Sequence, residues 1–316
     1  MATVITNLLS AIPWVGQDLV ELKNITEYFT LTTAIPMLPT IGTVNIHALK
    51  KGKKIRLDKK EYLSIPFSFI AFLVGLIDGD GYILVSKTTK GFITIKLVIS
   101  INLEDISTLN YIQSVLKLGK ITINRDHKSP SCRLTINRTD LQEVIFPLLL
   151  HHNIFFLTNT RRAQFDIAMY LLKNDKKIYD EIPPRKEIPL LFKLPESALD
   201  YKNLAFFKNW IVGFAMSEGS FFVKKNNDGC FQLKQRVHVM LFEAFKLVFK
   251  TNRKIDTEKG LYNQFSVSSK ADIQTVIDFF SFSGLHPLIG LKNIQYLNWL
   301  TNLRDSSRYC NLNFPE

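Results

Sequence analysis

Two acidic residues, each followed by glycine, close two apolar stretches of this chain: Asp80 in SFIAFLVGLIDGDG and Glu218 in AFFKNWIVGFAMSEG. Both stretches read as helices, so each carboxylate falls at a helix C-terminus and faces the negative end of the dipole. Two such carboxylates held side by side repel further, unless divalent cations sit between them. Hard oxygen donors, carboxylates and helix-terminal carbonyls alike, suit Mg²⁺. A metal in such a site can activate water and neutralise charge on a phosphate during hydrolysis. One acid–glycine pair alone reads as a helix cap with an acidic neighbour. Two at equivalent places in a repeat, within a basic protein, read as chemistry.

The helices themselves must bring the acids together. Gly75 and Gly79 lie four apart on one helix, Gly213 and Ser217 on the other, and residues at that spacing share a face. Glycine inside a helix costs about 1 kcal/mol relative to alanine, so its use here predicts a close approach of two backbones along these four residues.

Around each helix the chain repeats its grammar. GYILVSK and GFITIKLVISI flank a turn at Thr89, Lys90 and Gly91, and SFFVKK and CFQLKQRV flank one at Asn226, Asn227, Asp228 and Gly229. Helical EDISTLNYIQSVLKL and MLFEAFKLVFK follow, then the short strands KITINR with CRLTIN, and NRKID with NQFSVS; each block closes on helical sequence. The expected fold is α+β: two pseudo-symmetric αββαββα halves, residues 66–172 and 201–316, packed through the acid-bearing helices. Residues 173–200, with four prolines and dense charge, read as a linker. Residues 50–65, opening with KKGKKIRLDKK, read as a basic linker, and residues 1–49 as an irregular arm.

Forty Lys and Arg against 28 Asp and Glu give a net charge of +12, which suits a polyanionic partner such as nucleic acid. Cys132, Cys230 and Cys310 lie far apart without CxxC pairing, which excludes a zinc motif or disulfide framework and points to a reducing compartment. The histidines form no HExxH. The longest uncharged run, Tyr28 to Leu49, contains Pro36, Pro39 and Gly42 and is too broken to span a bilayer. The N-terminus lacks a secretory signal.

LVGLIDGDG at 73–81 and IVGFAMSEG at 211–219 resemble the two copies of the signature of the LAGLIDADG homing endonucleases. The second copy departs by Ala215, Met216 and Ser217 while keeping the final acid and glycine. The resemblance covers residues 66–313. It implies a saddle of strands lying along double-stranded DNA, and a single chain acting as an internal pseudo-dimer, hence a monomer. It implies that Asp80 and Glu218 bind Mg²⁺, with Mn²⁺ as a substitute, and that Gly79 and Ser217 offer carbonyls to the metal. Asp78 reads instead as a residue that caps or orients the helix end, since Met216 stands at its counterpart.

FFLTNTRRAQF at 155–165 and HPLIGLKNIQYL at 286–297 set Arg161 against Lys292. The resemblance gives these cations the task of stabilising charge on the phosphate. It gives Gln235 the positioning of water; the first-half counterpart is apolar Ile101, beside Asn102. The two strands of a target are then cut unequally.

Strand alternation nominates the nucleic-acid face. In ITIKLVISI the isoleucines and leucine point to the core, while Thr94, Lys96 and Ser100 point outward. Arg133 and Thr135 continue this face. In the second half Gln232, Lys234, Arg236, Gln264 and Ser266 do the same. Arg, Lys and Gln can read base edges or contact phosphates, and Ser and Thr adapt.

Residues 2–21, ATVITNLLSAIPWVGQDLVE, resemble a stretch of cytochrome b and no part of a nuclease. This implies an intron reading frame continuing from a cytochrome b exon, a mitochondrial location, and a target in the intronless cytochrome b gene. The rival function is an RNA maturase that assists splicing of the host intron, with or without DNA cleavage.

Overall fold

The computed structural model describes residues 56–126 and 128–316. The arm 1–49, with its cytochrome b-like residues 2–21, and the start of the basic stretch 50–65 lie outside the described residues.

Two central helices, α1 (Phe67–Asp80) and α4 (Phe207–Glu218), are apolar on almost every side. An all-round apolar helix is stable in water only where protein covers it from all directions. Each is packed against the other and beneath the sheet of its own half, so Phe69 through Asp78 and Trp210 through Met216 are buried.

Each half adds a four-stranded antiparallel sheet of the same topology. The first holds β1 (Gly81–Lys87), β2 (Ile93–Asn102), β3 (Lys120–Asn124) and β4 (Ser131–Asn137) in the order β1-β2-β4-β3. The second holds β5 (Gly219–Val223), β6 (Gly229–Arg236), β7 (Asp256–Glu258) and β8 (Tyr262–Val267) in the order β5-β6-β8-β7. The registers agree. Gly81 pairs with Ile99 and Gly219 with Leu233, so Ile101 and Gln235 occupy the same place in their sheets.

Helices α2 (Ile106–Leu116) and α5 (Val239–Val248) follow the first hairpins, and α3 (Asn159–Lys173) and α6 (Gly290–Arg304) close the halves. Ile95, Leu97, Ile99, Leu109, Ile112 and Leu134 fill the first core with aliphatic side chains. Aromatic rings dominate the second, with Phe221 and Phe231 stacked at 4.9 Å and Phe242 edge-on to Phe245 at 5.1 Å.

Four local features differ from the sequence expectation. Residues 56–65 are folded: Asp58 and Glu61 form a capping box for the helix Lys59–Leu63, Tyr62 and Ile65 are buried, and Arg56 pairs with Asp140 at 2.8 Å and Glu143 at 2.5 Å. Strand β7 covers Asp256–Glu258 rather than NRKID at 252–256, because the hairpin reverses at Lys259 and Gly260, both at positive φ. Helical segments at 138–151 and 270–282, each with a π-helical turn, come between the last strand and the closing helix. The stretch 173–200 is tied down: Arg185 pairs with buried Asp166 at 2.7 Å, the Leu191 amide donates to the same carboxylate at 3.1 Å, and Phe192 stacks on Phe155.

Candidate active site

The seam between α1 and α4 is reciprocal. A Cβ added at Gly75 would lie 2.0 Å from Trp210 O and 2.8 Å from Phe214 N. One added at Gly213 would lie 1.8 Å from Phe72 O and 2.9 Å from Leu76 N. Main chain meets main chain at both points, and no larger residue fits. Further along, a Cβ at Gly79 would lie 1.7 Å from Ser217 Oγ and 3.3 Å from Glu218 Cγ, so the acid-bearing ends of the helices touch.

Asp80 and Glu218 therefore stand beside each other at half-buried helix ends. Burial pushes the Asp80 carboxyl up to about 6 against the pull of Lys292 and Arg161, with Asp105 adding repulsion. Burial and then the charge of Asp80 push Glu218 up to about 7, opposed by Gln235 and the two cations. Both shifts express one fact: two negative charges are held together where water cannot fully solvate them.

Two cations hang over this pair from the closing helices. Arg161 on α3 donates from Nε to Ile77 O at 3.2 Å and from a terminal nitrogen to Gly79 O at 3.5 Å. Lys292 on α6 donates to Gly219 O at 2.5 Å. Burial lowers the Lys292 ammonium, and the carboxylates of Asp80, Asp105 and Glu218 oppose that shift. The flanks assemble crosswise. Lys292 of the second half lines a cavity of about 610 Å³ with Asp80, Ile101, Asn102 and Asp105 of the first. Arg161 of the first half lines another with Gln235 and Arg236 of the second. Ile101 and Arg161 of the first half therefore line different cavities, as do Gln235 and Lys292 of the second, because the first turn of each closing helix opens toward the sheet end of the other half. Gln235 Nε2 donates to Glu218 Oε1 at 2.7 Å; Ile101 has no group to offer Asp80.

Asp78 faces away from the pair. It is 2% exposed and accepts from the amides of Leu157 and Thr158 at 2.8 and 3.2 Å, from Thr158 Oγ1 at 2.6 Å and from Trp210 Nε1 at 2.8 Å. It fixes the start of α3 and bridges to the second half. The aspartate was legible as an orienting residue; its partner Trp210 was not. Asp105, which lines the Lys292 cavity, was not singled out by any sequence signal.

Among the described residues, no group of three or more His, Cys, Asp and Glu side chains is arranged to hold a metal ion. A cation at the seam would rest on two carboxylates, main-chain oxygens and water. The donors are all oxygen, and the pair carries charge that its surroundings only partly offset, so the residues present fit a hard divalent ion.

The outward strand faces carry the residues nominated from alternation. Thr94, Ser100 and Thr135 are partly exposed and Lys96 and Arg133 exposed, with Arg133 Nε on Ser100 Oγ at 3.4 Å. In the second sheet Gln232 pairs with Ser266 and Lys234 with Gln264, and Arg236 lies exposed at the strand end. Lys234 is not a free cation: it pairs with Glu258 and lies 5.5 Å from the Tyr262 ring centroid.

Residues 73–171 match the family described as LAGLIDADG endonuclease. A curated relative, the probable intron-encoded endonuclease aI3 of Debaryomyces hansenii, is 23% identical over 275 residues, covering 77% of this chain. The chain spans 38% of that relative's length. Among solved structures, the I-LtrWI homing endonuclease bound to target DNA superposes with a TM-score of 0.57 at 21% identity, covering 76% of this chain and 91% of its own. I-SmaMI, bound to an uncleaved DNA target in the presence of calcium ions, superposes with a TM-score of 0.54 at 19% identity, covering 75% and 91%. Residues 73–171 thus match a LAGLIDADG endonuclease domain by sequence, and both halves share the fold of these solved structures.

Proposed function

We propose that this chain is an intron-encoded, site-specific DNA endonuclease that makes a double-strand break in a long target. The carrying observation is the pair Asp80 and Glu218 at pseudo-symmetric helix ends, with Lys292 over one flank and Arg161 over the other. Asp80, Glu218 and the carbonyls of Gly79 and Ser217 would hold Mg²⁺, or Mn²⁺ in its place. When bound, the ion supplies charge neutralisation at the scissile phosphate and a more acidic water.

The chain's own residues do the rest. Lys292 and Arg161 are fixed on main-chain carbonyls next to the acids, where a preorganised positive charge stabilises the extra negative charge of a phosphate under attack. Gln235 orients the Glu218 carboxylate. The polar strand faces would lie along the DNA, with Thr94, Lys96, Ser100, Arg133 and Thr135 contacting one half-site. Gln232, Lys234, Arg236, Gln264 and Ser266 would contact the other. The net charge of +12 supports a polyanionic partner. The protein acts as a monomer, since both acids come from one chain.

The cytochrome b-like residues 2–21 support a mitochondrial setting and a target spanning the codons around Asp18 to Glu21 in the intronless gene. The same residues favour a second reading, a maturase for the host intron. Incubation of full-length protein with Mg²⁺ and a duplex copied from the intronless cytochrome b gene separates the two. A double-strand cut within that duplex supports the nuclease. No cut, with tight binding of the intron RNA, supports the maturase.

A further inference from the structure

The first turns of α3 and α6 carry Arg161 and Lys292, and each must be anchored for its cation to stand over the acids. The two anchors are not equivalent residues. At α3 the anchor is Asp78, which accepts from the Leu157 and Thr158 amides within its own half. The counterpart of Asp78 on α4 is Met216, which has no carboxylate to offer.

Helix α6 also lacks a cap of its own, because apolar Ile289 precedes it. Its first-turn amide, Leu291 N, donates instead to Asp105 Oδ1 at 2.8 Å, an oxygen that also accepts from Thr108 Oγ1 at 3.0 Å. Asp105 belongs to the first half, at the end of the 3₁₀ turn Leu103–Asp105 that follows β2. The helix start is shaped to receive it. Gly290 sits at φ +55, and a Cβ there would lie 2.1 Å from Asp105 Oδ1 and 2.3 Å from Thr108 Oγ1. A carboxylate at this end of a helix satisfies an orphan amide and meets the positive end of the dipole. Lys292 is the next residue, and it shares the cavity with Asp105 and Asp80. Counting on from the register that equates Ile101 with Gln235, Val239 stands where Asp105 does, and it is 54% exposed.

We infer that Asp105 is a positioning residue that crosses the seam to set the first turn of α6, and through it Lys292, so that it governs cleavage of one DNA strand only. This rests on the nuclease reading above. The anchoring itself does not, and can be read without DNA.

The test compares Asp105→Ala and Asp105→Asn with the wild type in two measurements. The first is amide hydrogen exchange of residues 290–293 in the DNA-free protein. The second is single-turnover cleavage of a duplex labelled separately on each strand, with Lys292→Ala identifying the strand that depends on that cation. Asp105→Ala should speed exchange at Leu291 and slow the Lys292-dependent strand by about tenfold or more, leaving the other strand within about twofold. DNA affinity should not change. Asp105→Asn keeps an oxygen acceptor in the same place and should recover both protection and the strand-specific rate to within about threefold.

Equal slowing of both strands by Asp105→Ala, or an Asn variant as impaired as the Ala variant, overturns the inference. So does unchanged protection at Leu291. If the wild type cuts neither strand, the nuclease reading fails, and exchange alone decides the anchor.

Discussion

The indole N–H of Trp210 in the second half donates to Asp78 Oδ2 in the first at 2.8 Å, with both side chains buried. Among the described residues it is the only side-chain hydrogen bond between the two motif helices, and it completes a set of four donors on one carboxylate. Trp210→Phe keeps the ring stacked between Phe207 and Phe214 but removes one donor from a buried charge. It should cost about 1–3 kcal/mol in denaturant unfolding. Asp78→Ala, which strands all four donors, should cost more. An unchanged unfolding midpoint for Trp210→Phe would show that the bond contributes nothing.

Asp80→Asn and Glu218→Gln should each abolish double-strand cleavage in Mg²⁺ while changing DNA affinity by less than about tenfold, roughly 1.4 kcal/mol. The substitutions are nearly isosteric and remove only charge from the seam. Full cutting by either variant, measured on linear duplex, would remove that residue from the metal site.

The crosswise flanks predict which variants resemble each other. Arg161→Ala and Gln235→Ala line one cavity and should slow the same DNA strand, whereas Lys292→Ala should slow the opposite one. Because Gln235 has apolar Ile101 as its counterpart, the two cuts should differ in rate even in the wild type. Nicked circles should accumulate early on supercoiled plasmid. Strand-resolved gels in which Arg161→Ala and Lys292→Ala slow the same strand would contradict this geometry.

The paired acids also predict a pH dependence. Asp80 and Glu218 rise from ordinary carboxyl values of 3.8 and 4.5 to about 6 and about 7 in the folded protein. Between those limits the folded state binds more protons than the unfolded one, so stability is present below about pH 4 and is lost as pH rises through 6 to 7. Burial shifts His152, His238 and His286 down, and these act in the opposite sense, so the contribution is read as a difference. Between pH 5 and pH 8 the metal-free wild type should lose more melting temperature than the double variant Asp80→Asn, Glu218→Gln. Divalent cations compete with these protons and should raise the melting temperature more at pH 8 than at pH 5. In the double variant Asp80→Asn, Glu218→Gln the cation effect should vanish, while the burial of Asp78, also raised to about 6, leaves a residual slope. A cation-induced shift that persists in the double variant would place the metal elsewhere.

The parts of this structure that follow from short-range periodicity were legible in the sequence. The all-round apolar motif helices, the small residues of the seam and the alternation along β2, β4, β6 and β8 follow from period and residue type. The capping box of Asp58 and Glu61 was equally local, yet it was masked by the surrounding lysines and arginines. What escaped depends on the twofold arrangement. Lys292 shares a cavity with Ile101 and Asn102 of the first half, Trp210 reaches Asp78 across 132 positions, and Asp105 caps α6 across 186. No periodicity in either partner announces them. Strand β7 slipped because its three exposed residues pair on one side only, so neither burial nor a second neighbour fixes its register from the sequence.

The joint at Gly75 and Gly213 is built from peptide groups, and peptide groups are the same in every protein. A surface of that kind makes few demands on the side chains around it. The two sheets lie beyond it, each on its own core, one aliphatic and one aromatic. Either outer face can therefore accumulate substitutions without disturbing how the halves meet. Such a chain can drift toward an asymmetric preference one side at a time, and halves from different relatives should be exchangeable wherever the two glycines and the Asp78–Trp210 pair travel together.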